Sequence, residues 1–397
     1  MFAPLYAVPL TGTAVVTERT ELRVRDSGAG PQADAETAAS LRLTLRGRHL
    51  ELGLGAIPRF TAFSFVDGSR DAFVASNGSF VLGWRERRWG IFLSEDGGYG
   101  FENFATLRFA PVDPLPGTPP GQPPTPTTTP TLPGTTTLTT VTSRSALSAY
   151  QNPRPRWLVS EAAAFDVAGG ATTESQRFLP LVYGPRANAA FEYRFAPIDH
   201  IGVVVDGVFQ RFSSGSDIAV GTAELRYRHD MARHSSFTLG AGPSAAAIRT
   251  RATDTLVTHP YMTADIGLSH RRGFLGARLA VDAVVRFAPV VDRIAAVVDP
   301  RISAAVNAVW TSDKLTLLLG VSGAQSIFEP SSRGAITFVA GNATVRVPVA
   351  STVDLEAGSR AAAQAGPATG FSSSVFFSYG FFFAVDLHAP MLHFRTE

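Results

Sequence analysis

The sequence has no cysteine, one lysine and few charged residues. Without cysteine, the chain has no disulfide framework, no thiolate metal site and no cysteine nucleophile. Charged residues make up 17% of the 397 residues, below the roughly one quarter usual in soluble proteins. Lys314 is the one lysine, and the arginines form no concentrated run along the sequence. This argues against nucleic acid as a partner.

Long apolar runs are also missing. Residues 1–18 contain no Lys or Arg, and Pro4 and Pro9 interrupt their apolar stretch, unlike a secretory signal. The chain is therefore either a mature form with a start Met or has its true N-terminus upstream. A transmembrane helix needs about 20 apolar residues. The best candidate, residues 315–328, is shorter and contains Gly320 and Gln325, so we expect no spanning helix.

What the sequence does contain is alternation of apolar and polar residues, which is typical of strands with two different faces. In the longest example, Leu275 to Phe287, the odd positions are all apolar, whereas the even positions include Arg278, Asp282 and Arg286. This pattern is about twice the usual length of a strand in a soluble protein. The alternation predicts eighteen strands. They lie near 13–25, 36–46, 48–57, 75–86, 88–95, 101–110, 154–167, 187–197, 199–212, 217–229, 234–248, 258–270, 273–288, 299–311, 314–325, 334–349, 350–362 and 371–387.

The strand pattern favours an outer-membrane barrel over a soluble β fold. The segments have the length a tilted strand needs to cross a membrane, about 9–11 residues or more, and their polar faces suit a watery lumen. From residue 154 on, tight joints such as 197–198 alternate with longer ones such as 168–186. Outer-membrane barrels have short turns on one rim and longer loops on the other. Tryptophans near predicted strand ends, such as Trp84 and Trp157, suit interfacial girdles.

A tract rich in Pro and Thr, residues 114–140, divides the chain. Its composition predicts an extended linker or loop outside the sheet, because proline lacks the N–H that a strand donates. The tract joins the sixth predicted strand to the seventh, and joints from an even to an odd strand are the short turns, so the tract is predicted on the rim with short turns. Two organisations remain open: one barrel of about 18 strands, or a six-strand unit (1–113) tethered to a 12-strand barrel (141–397).

The last predicted strand carries a recognisable motif. Ser378, Gly380, Phe383 and Val385 occupy the polar, glycine and apolar slots of a terminal pattern. This segment resembles the C-terminal β-signal of bacterial outer-membrane barrel proteins, although ten residues follow Leu387 where such proteins usually end at an aromatic residue. The resemblance implies a porin-like barrel in the bacterial outer membrane, with lipid and the barrel assembly machinery as partners.

The polar strand faces hold the predicted functional residues. We expect the lumen to be lined by residues that share these faces: Glu224, Arg226, Arg228, Arg278, Asp282, Arg286, Asp354, Glu356 and Arg360. Opposite charges on neighbouring strands can simply brace the wall. They can also make a pore selective for charged solutes. Arginines and acids are nearly balanced on these faces, which predicts weak selectivity with a slight anion preference.

No metalloprotease, nucleophile-elbow or P-loop motif is present, and the cluster at 226–234 is interpreted as a solvated turn. We therefore predict no enzyme activity, no cofactor and no metal. The leading function is a passive channel for small hydrophilic solutes. The alternative is a barrel without transport, serving as an anchor or scaffold for a periplasmic or surface partner that binds residues 114–140.

Overall fold

The computed structural model describes residues 11–26, 31–64, 70–103, 137–232, 234–274, 276–292, 296–327, 337–365 and 376–395. In this part of the chain, nineteen antiparallel strands form one sheet, and one short helix, α1 (Thr173–Phe178), follows the seventh strand. The strands are β1 (Thr11–Asp26), β2 (Pro31–Arg46), β3 (Leu50–Ser64), β4 (Arg70–Arg85), β5 (Trp89–Asn103), β6 (Thr137–Gln151), β7 (Trp157–Gly170), β8 (Val182–Arg194), β9 (Asp199–Phe212), β10 (Ser216–Ala232), β11 (Ser235–Thr250), β12 (Thr255–Phe274), β13 (Ala277–Asp292), β14 (Val297–Thr311), β15 (Thr316–Ser326), β16 (Thr337–Ala350), β17 (Val353–Ala365), β18 (Phe376–His388) and β19 (Leu392–Arg395).

The sheet closes on itself. Each strand pairs with the next along the chain, and β1 pairs with β2 on one side and with β18 on the other. The short β19 continues β18 along the first residues of β1, where Phe394 lies opposite Gly12. The predicted antiparallel barrel of about 18 strands is confirmed. The alternative of a 12-strand barrel with a separate six-strand unit is wrong, because the strands on both sides of the tract belong to one closed sheet.

Strand parity separates an inner face from an outer face. Leu225 is 58% exposed, whereas its neighbour Glu224 is 2% exposed. Glu224 on β10 forms an ion pair with Arg286 on β13, with 3.9 Å between Oε1 and Nη2, although two strands separate them. Side chains from such distant strands converge only on the concave side of a barrel, so Glu224 and Arg286 face inward and Leu225 faces outward.

The outer wall is mainly apolar, as lipid requires. Its exposed side chains include Val16, Leu22, Leu41, Leu54, Val74, Leu147, Phe165, Val203, Leu239, Met262, Ile266, Val306, Leu319, Val345, Phe381 and Phe383. Glu95 on β5 is an outward-facing exception. Its carboxylate accepts hydrogen bonds from the hydroxyls of Ser145 (2.7 Å) and Ser143 (3.4 Å) on β6. These hydrogen bonds replace part of the hydrogen bonding to water that the carboxylate loses next to lipid.

The long connections all lie on one rim of the barrel. Joints from even to odd strands are short turns, such as 47–49, 86–88 and 351–352, whereas joints from odd to even strands include the long connections 104–136 and 171–181. Tryptophans mark the turn end: Trp84 closes β4, and Trp89 and Trp157 open β5 and β7, each substantially exposed. The long connections 104–136, 171–181, 327–336 and 366–375 are all odd-to-even joints, as predicted, but another joint of that parity, 213–215, is as short as the turns.

The fifth and sixth predicted strands were misplaced. The segments predicted at 88–95 and 101–110 fall partly in one strand, β5, and the sixth strand is β6, which begins within the tract 114–140. The error arose because Gly97 and Gly98 interrupt the alternation. In the structure, a Cβ atom at Gly98 would lie 2.5 Å from Oδ1 of Asn77, so glycine there allows a close approach between strands.

This reassignment moves the tract to the other rim. It joins β5 to β6, an odd-to-even connection, so it belongs to the rim with long loops and not to the rim with short turns. Residues 137–140 pair as strand, with Thr140 opposite Gly100, which contradicts the prediction for that end of the tract. Residues 104–136 lie outside the described residues, and the irregular segment predicted there stays a prediction. The described part of the chain contains no helix with the length and apolarity needed to cross a membrane.

Neighbouring residues on β14 test the assignment of faces. Val306 is 46% exposed on the outer wall, and Asn307 follows it on the inner face. We expect Val306→Arg to lower the free energy of unfolding by about 2–4 kcal/mol, because an arginine near the bilayer midplane costs that much. Asn307→Arg, the matched control, should change it much less. Urea titration of both variants folded into lipid vesicles measures the difference, and equal effects would contradict the assignment.

Candidate functional site in the barrel interior

Two clusters of ion pairs occupy the inner wall. The first, the β1 network, consists of Arg19, Glu21, Arg23, Asp34, Glu356, Arg360 and Asp386. Arg19 bridges three acids: its guanidinium nitrogens lie 2.8 Å from Glu21, 2.9 Å from Glu356 and 3.2 Å from Asp386. These carboxylates come from β1, β17 and β18, so the network holds together the strands at which the barrel closes.

The rest of the β1 network extends to both sides of Arg19. Arg23 pairs with Asp34 on β2, with 2.8 Å between Nε and Oδ1, and also with Glu36. Arg360 on β17 lies 3.7 Å from Glu21 and stacks over the Phe382 ring at 4.5 Å. Each buried carboxylate therefore has a cation beside it, as charges removed from water require.

The second cluster, the β10 network, consists of Glu224, Arg226, Asp265 and Arg286. Nη2 of Arg226 lies 2.9 Å from Glu224 and 3.3 Å from Asp265. The strand between them, β11, places Gly240 beside Asp265, and a Cβ atom at Gly240 would lie 2.4 Å from Oδ1 of Asp265. Glycine at this position leaves the space that Asp265 occupies. Both acids are almost completely buried, so this network braces the wall and offers little charge to a passing solute.

The predicted lining residues have different surroundings. Glu224, Arg226 and Arg286 meet in the β10 network, and Glu356 and Arg360 belong to the β1 network. Asp354 pairs with Arg346 at 2.6 Å beside His388. Arg228 lies 3.1 Å from Asp230 and 3.9 Å from Glu192, near the turn end.

Arg278 and Asp282 differ from these residues in being exposed. Asp282 pairs with Arg271 at 3.7 Å. Arg278, Asp282 and Arg286 share the inner face of β13 by parity. Their role in lining an ion path stays a prediction.

Sequence reasoning missed Arg19 and the inward fold of one hairpin. Arg19 alternates with Glu21 and Arg23 along β1, so the period of two could have identified it. Residues 288–292 of β13 and 296–301, which lead into and form the start of β14, make up what we call the inner hairpin. On β12, residues 255–263 pair with β11, but the β12–β13 pairing extends no further than Ala264 and Phe287. Beyond that point, β13 and β14 still pair with each other, from Ala288 opposite Arg301 to Asp292 opposite Val297. This part of the two strands leaves the wall.

Apolar contacts hold the inner hairpin against the inner wall. Ala296 and Val298 pack in a buried cluster with Phe212, Ile218 and Val220. At the base of the hairpin, Nε of Arg301 lies 2.6 Å from Asp299, and its Nη2 lies 3.2 Å from Asp292. The Ser326 hydroxyl donates to Asp299 at 2.6 Å. The inner hairpin therefore fills part of the lumen at the end with long loops.

The cluster at 226–234 forms polar pairs at the turn end. The Asp199 carboxylate accepts a hydrogen bond from the Tyr227 hydroxyl at 2.6 Å and lies 2.7 Å from Nδ1 of His229. His200 pairs with Glu192 at 2.6 Å. Within the described ranges, no group of three or more His, Asp or Glu side chains could hold a metal ion.

The segment with the predicted assembly signal is β18, the strand that closes the barrel against β1. Ser378 and Gly380 lie on its inner face and Phe383 and Val385 on its outer face. At β19, a Cβ atom at Gly12 would lie 2.0 Å from the Phe394 ring, so the ring packs flat on the β1 backbone. Recognition of this segment by the assembly machinery stays a prediction.

A closed antiparallel barrel with an apolar outer wall and a charged interior has the architecture of the outer-membrane barrel proteins. The model of the EpsX exopolysaccharide export family matches residues 19–376. The chain belongs to this family. The predictions of an outer-membrane location and of a barrel that forms a channel are confirmed.

Solved structures of similar architecture are porins. OccK2 (OpdF) of Pseudomonas aeruginosa is 11% identical, with 95% of this chain and 98% of that chain covered and a TM-score of 0.47. OpdL of the same species is 10% identical (96% and 99% covered, TM-score 0.46). A BenF-like porin from Pseudomonas fluorescens Pf-5 is 10% identical (95% and 99%, TM-score 0.46). Similarity at this level does not carry a substrate to this chain. Among curated proteins, no match was found.

The β10 network predicts a strong dependence on Arg226. We expect Arg226→Met to lower the free energy of unfolding by about 3–5 kcal/mol, because it leaves buried Glu224 and Asp265 without their shared cation. Arg278→Met, which removes an exposed arginine from the same face of the sheet, should cost less than about 1 kcal/mol. Urea titration in lipid vesicles gives both values, and a small effect at Arg226 would show that the pairing contributes little.

The inner hairpin predicts a constriction. Ala288 and Arg301 lie directly opposite each other, so a short Gly-Ser turn can replace residues 289–300 without disturbing the wall. We expect this variant to have a larger single-channel conductance in planar bilayers than the unmodified protein. Ile218→Ser, which weakens the apolar contact that holds the hairpin, should increase current fluctuations. Unchanged conductance in the shortened variant would mean that the narrowest point lies elsewhere.

Proposed function

We propose that the protein is a passive conduit through which an exopolysaccharide chain crosses the outer membrane. The observation that carries the proposal is a closed barrel of this size with a charged inner face, in a member of an exopolysaccharide export family. Barrels of 16–18 strands are wide enough to leave an aqueous channel. The path that admits small hydrophilic solutes can also take an extended chain of sugars.

The inner wall is chemically suited to a hydrated polymer. A sugar chain carries hydroxyl groups that must keep hydrogen-bond partners as it leaves bulk water. Carboxylates, guanidinium groups and ordered water along the wall can supply these partners at each position. Because the strongest charges are paired in the β1 and β10 networks, the polysaccharide makes many weak contacts with the wall. Weak, repeated contacts allow the polysaccharide to move through the barrel.

Transport through such a conduit needs no catalysis. The polar clusters of the described interior pair with one another, and the sequence carries no metalloprotease, nucleophile-elbow or P-loop motif. We therefore infer that synthesis and any cleavage of the polymer occur on other proteins. The proposed partners are membrane lipid and the barrel assembly machinery. Because the tract joins β5 to β6 at the rim with long loops, away from the turns that face the periplasm, a partner that binds it would be a surface protein and not a periplasmic one.

Planar-bilayer recording tests the proposal. The purified full-length protein should give steady ionic conductance, and soluble polysaccharide added on the side of the short turns should cause discrete, reversible current blocks. Vesicles that contain the protein and a labelled oligosaccharide should release the label, whereas vesicles without protein should retain it. Absence of conductance would favour the scaffold function, and conductance without any block by polymer would favour a channel restricted to small solutes.

A further inference from the structure

Positive charge is concentrated on one side of the turn rim. The turns β2–β3, β4–β5 and β6–β7 are adjacent, since the Arg85 N–H donates to the His49 carbonyl at 2.7 Å and the Asn152 N–H donates to the Arg88 carbonyl at 2.6 Å. They carry the exposed arginines Arg46, Arg48, Arg85, Arg87, Arg88, Arg154 and Arg156. We call these residues and their turns the basic sector.

Few acids neutralise the basic sector. Glu51 is shared by Arg46 at 3.1 Å and Arg85 at 3.5 Å, and Glu86 lies 3.2 Å from Nδ1 of His49. Within the described parts of the chain, no carboxylate pairs with the remaining five arginines. This differs from the interior networks, where each arginine touches at least one acid. The sector therefore projects a positive field into the mouth of the barrel.

An aromatic surface lies directly inside this sector. Phe92 on β5 and Tyr150 on β6 face the lumen, with ring centroids 6.1 Å apart and planes at 20°. A Cβ atom at Gly83 would lie 2.5 Å from the Phe92 ring, and one at Gly90 would lie 2.6 Å from the Tyr150 ring. Both rings therefore lie flat on the wall. The Arg85 guanidinium covers Phe92 at 5.5 Å, which leaves the half-buried Tyr150 as the ring that a solute can reach.

We propose that the basic sector and Tyr150 form an entry subsite for an acidic polysaccharide, one whose sugars carry carboxylate groups. The proposal rests on the proposed export function and adds the charge of the polymer. A flat aromatic ring packs against the apolar face of a sugar ring, and guanidinium groups bind carboxylates with paired N–H donors. Short turns face the periplasm in barrels of this class, so the subsite lies where an exported chain enters.

The inner-face part of the sector favours a polymer over lipid headgroups, whereas Arg154 stacks over the outward-facing Trp157 ring at 5.7 Å. Arg46 and Arg85 lie on the inner face by parity, opposite Glu51 and Gly90 in the strand pairing. Phe92 and Tyr150 also face inward, where lipid does not reach. Clustered charge of one sign at a mouth steers an oppositely charged solute, raising encounter rates by about 10- to 1000-fold, and the effect decreases with salt.

Current-block recording with two polymers tests the proposal. Polygalacturonate and uncharged dextran of matched length are added to the turn side of the full-length protein in a planar bilayer. In 0.1 M salt we expect polygalacturonate to block at least about ten times more often than dextran, and in 1 M salt the two rates should converge. Equal block rates at low salt would overturn the acidic specificity, whereas a failure of both polymers to block would count against export itself.

Two variants that lose the same number of positive charges separate the effect of the basic sector from the effect of net charge. Arg87→Gln/Arg88→Gln should remove most of the preference for polygalacturonate. The control, Arg272→Gln/Lys314→Gln, removes two exposed cations far around the same rim, one near the end of β12 and one in the β14–β15 turn, and should keep most of it. Tyr150→Ala should shorten the blocks by about tenfold without changing their frequency much.

Two further outcomes would count against the proposal. Equal effects of the two double variants would overturn the assignment to this sector. A sector variant that changes only insertion into anionic vesicles, with block rates intact, would assign the arginines to lipid headgroups and overturn the proposal. Unaltered open-channel conductance without polymer shows that each variant has folded.

Discussion

The hydrogen-bonded seam between β1 and β18 is the constraint on which the rest of the structure depends. In lipid, backbone N–H and C=O groups without a partner cost several kcal/mol each, so a membrane sheet is stable only when it has no edge. Ten consecutive residue pairs, from Thr17–His388 to Asp26–Tyr379, close this sheet. Closure also creates a concave side, and the interior networks exist only because that side exists.

Arginines deep in the wall of the barrel are paired with acids, whereas most arginines on the turns at the mouth are not. Arg19 and Arg226 sit among acids from several strands, deep in the wall, where a lone charge would be costly. Arg48, Arg87 and Arg154 lie on turns at the mouth, where water hydrates them and no neutralising acid is needed. A barrel built in this way has a rigid, nearly neutral wall and a charged entrance. The inner hairpin adds a narrowing at the opposite end, made of apolar contacts and anchored by Arg301.

Several features could be predicted from the sequence because they depend on local patterns. Alternation predicted the two faces of each strand and put Glu224, Arg226 and Arg286 on polar faces, and the structure brings these three side chains into ion-pairing contact. The strand count was right although two strands were misplaced. Gly97 and Gly98 looked like a break, and the threonines before Val141 looked like part of a linker. Glycine in a strand can serve close packing, and β-branched threonine is a good strand former, so composition alone was ambiguous at both places.

The sequence by itself determined that the chain forms long amphipathic strands, which face of each strand is polar, and that short turns alternate with longer loops. These properties follow from the side-chain period of two and from turn chemistry, which act over a few residues. Only the tertiary structure decided that Arg19 meets Glu356, 337 residues away, that the inner hairpin folds inward, and that three basic turns and Tyr150 share one sector. Such contacts depend on how the sheet curves and on where its first and last strands meet, and no local pattern encodes either.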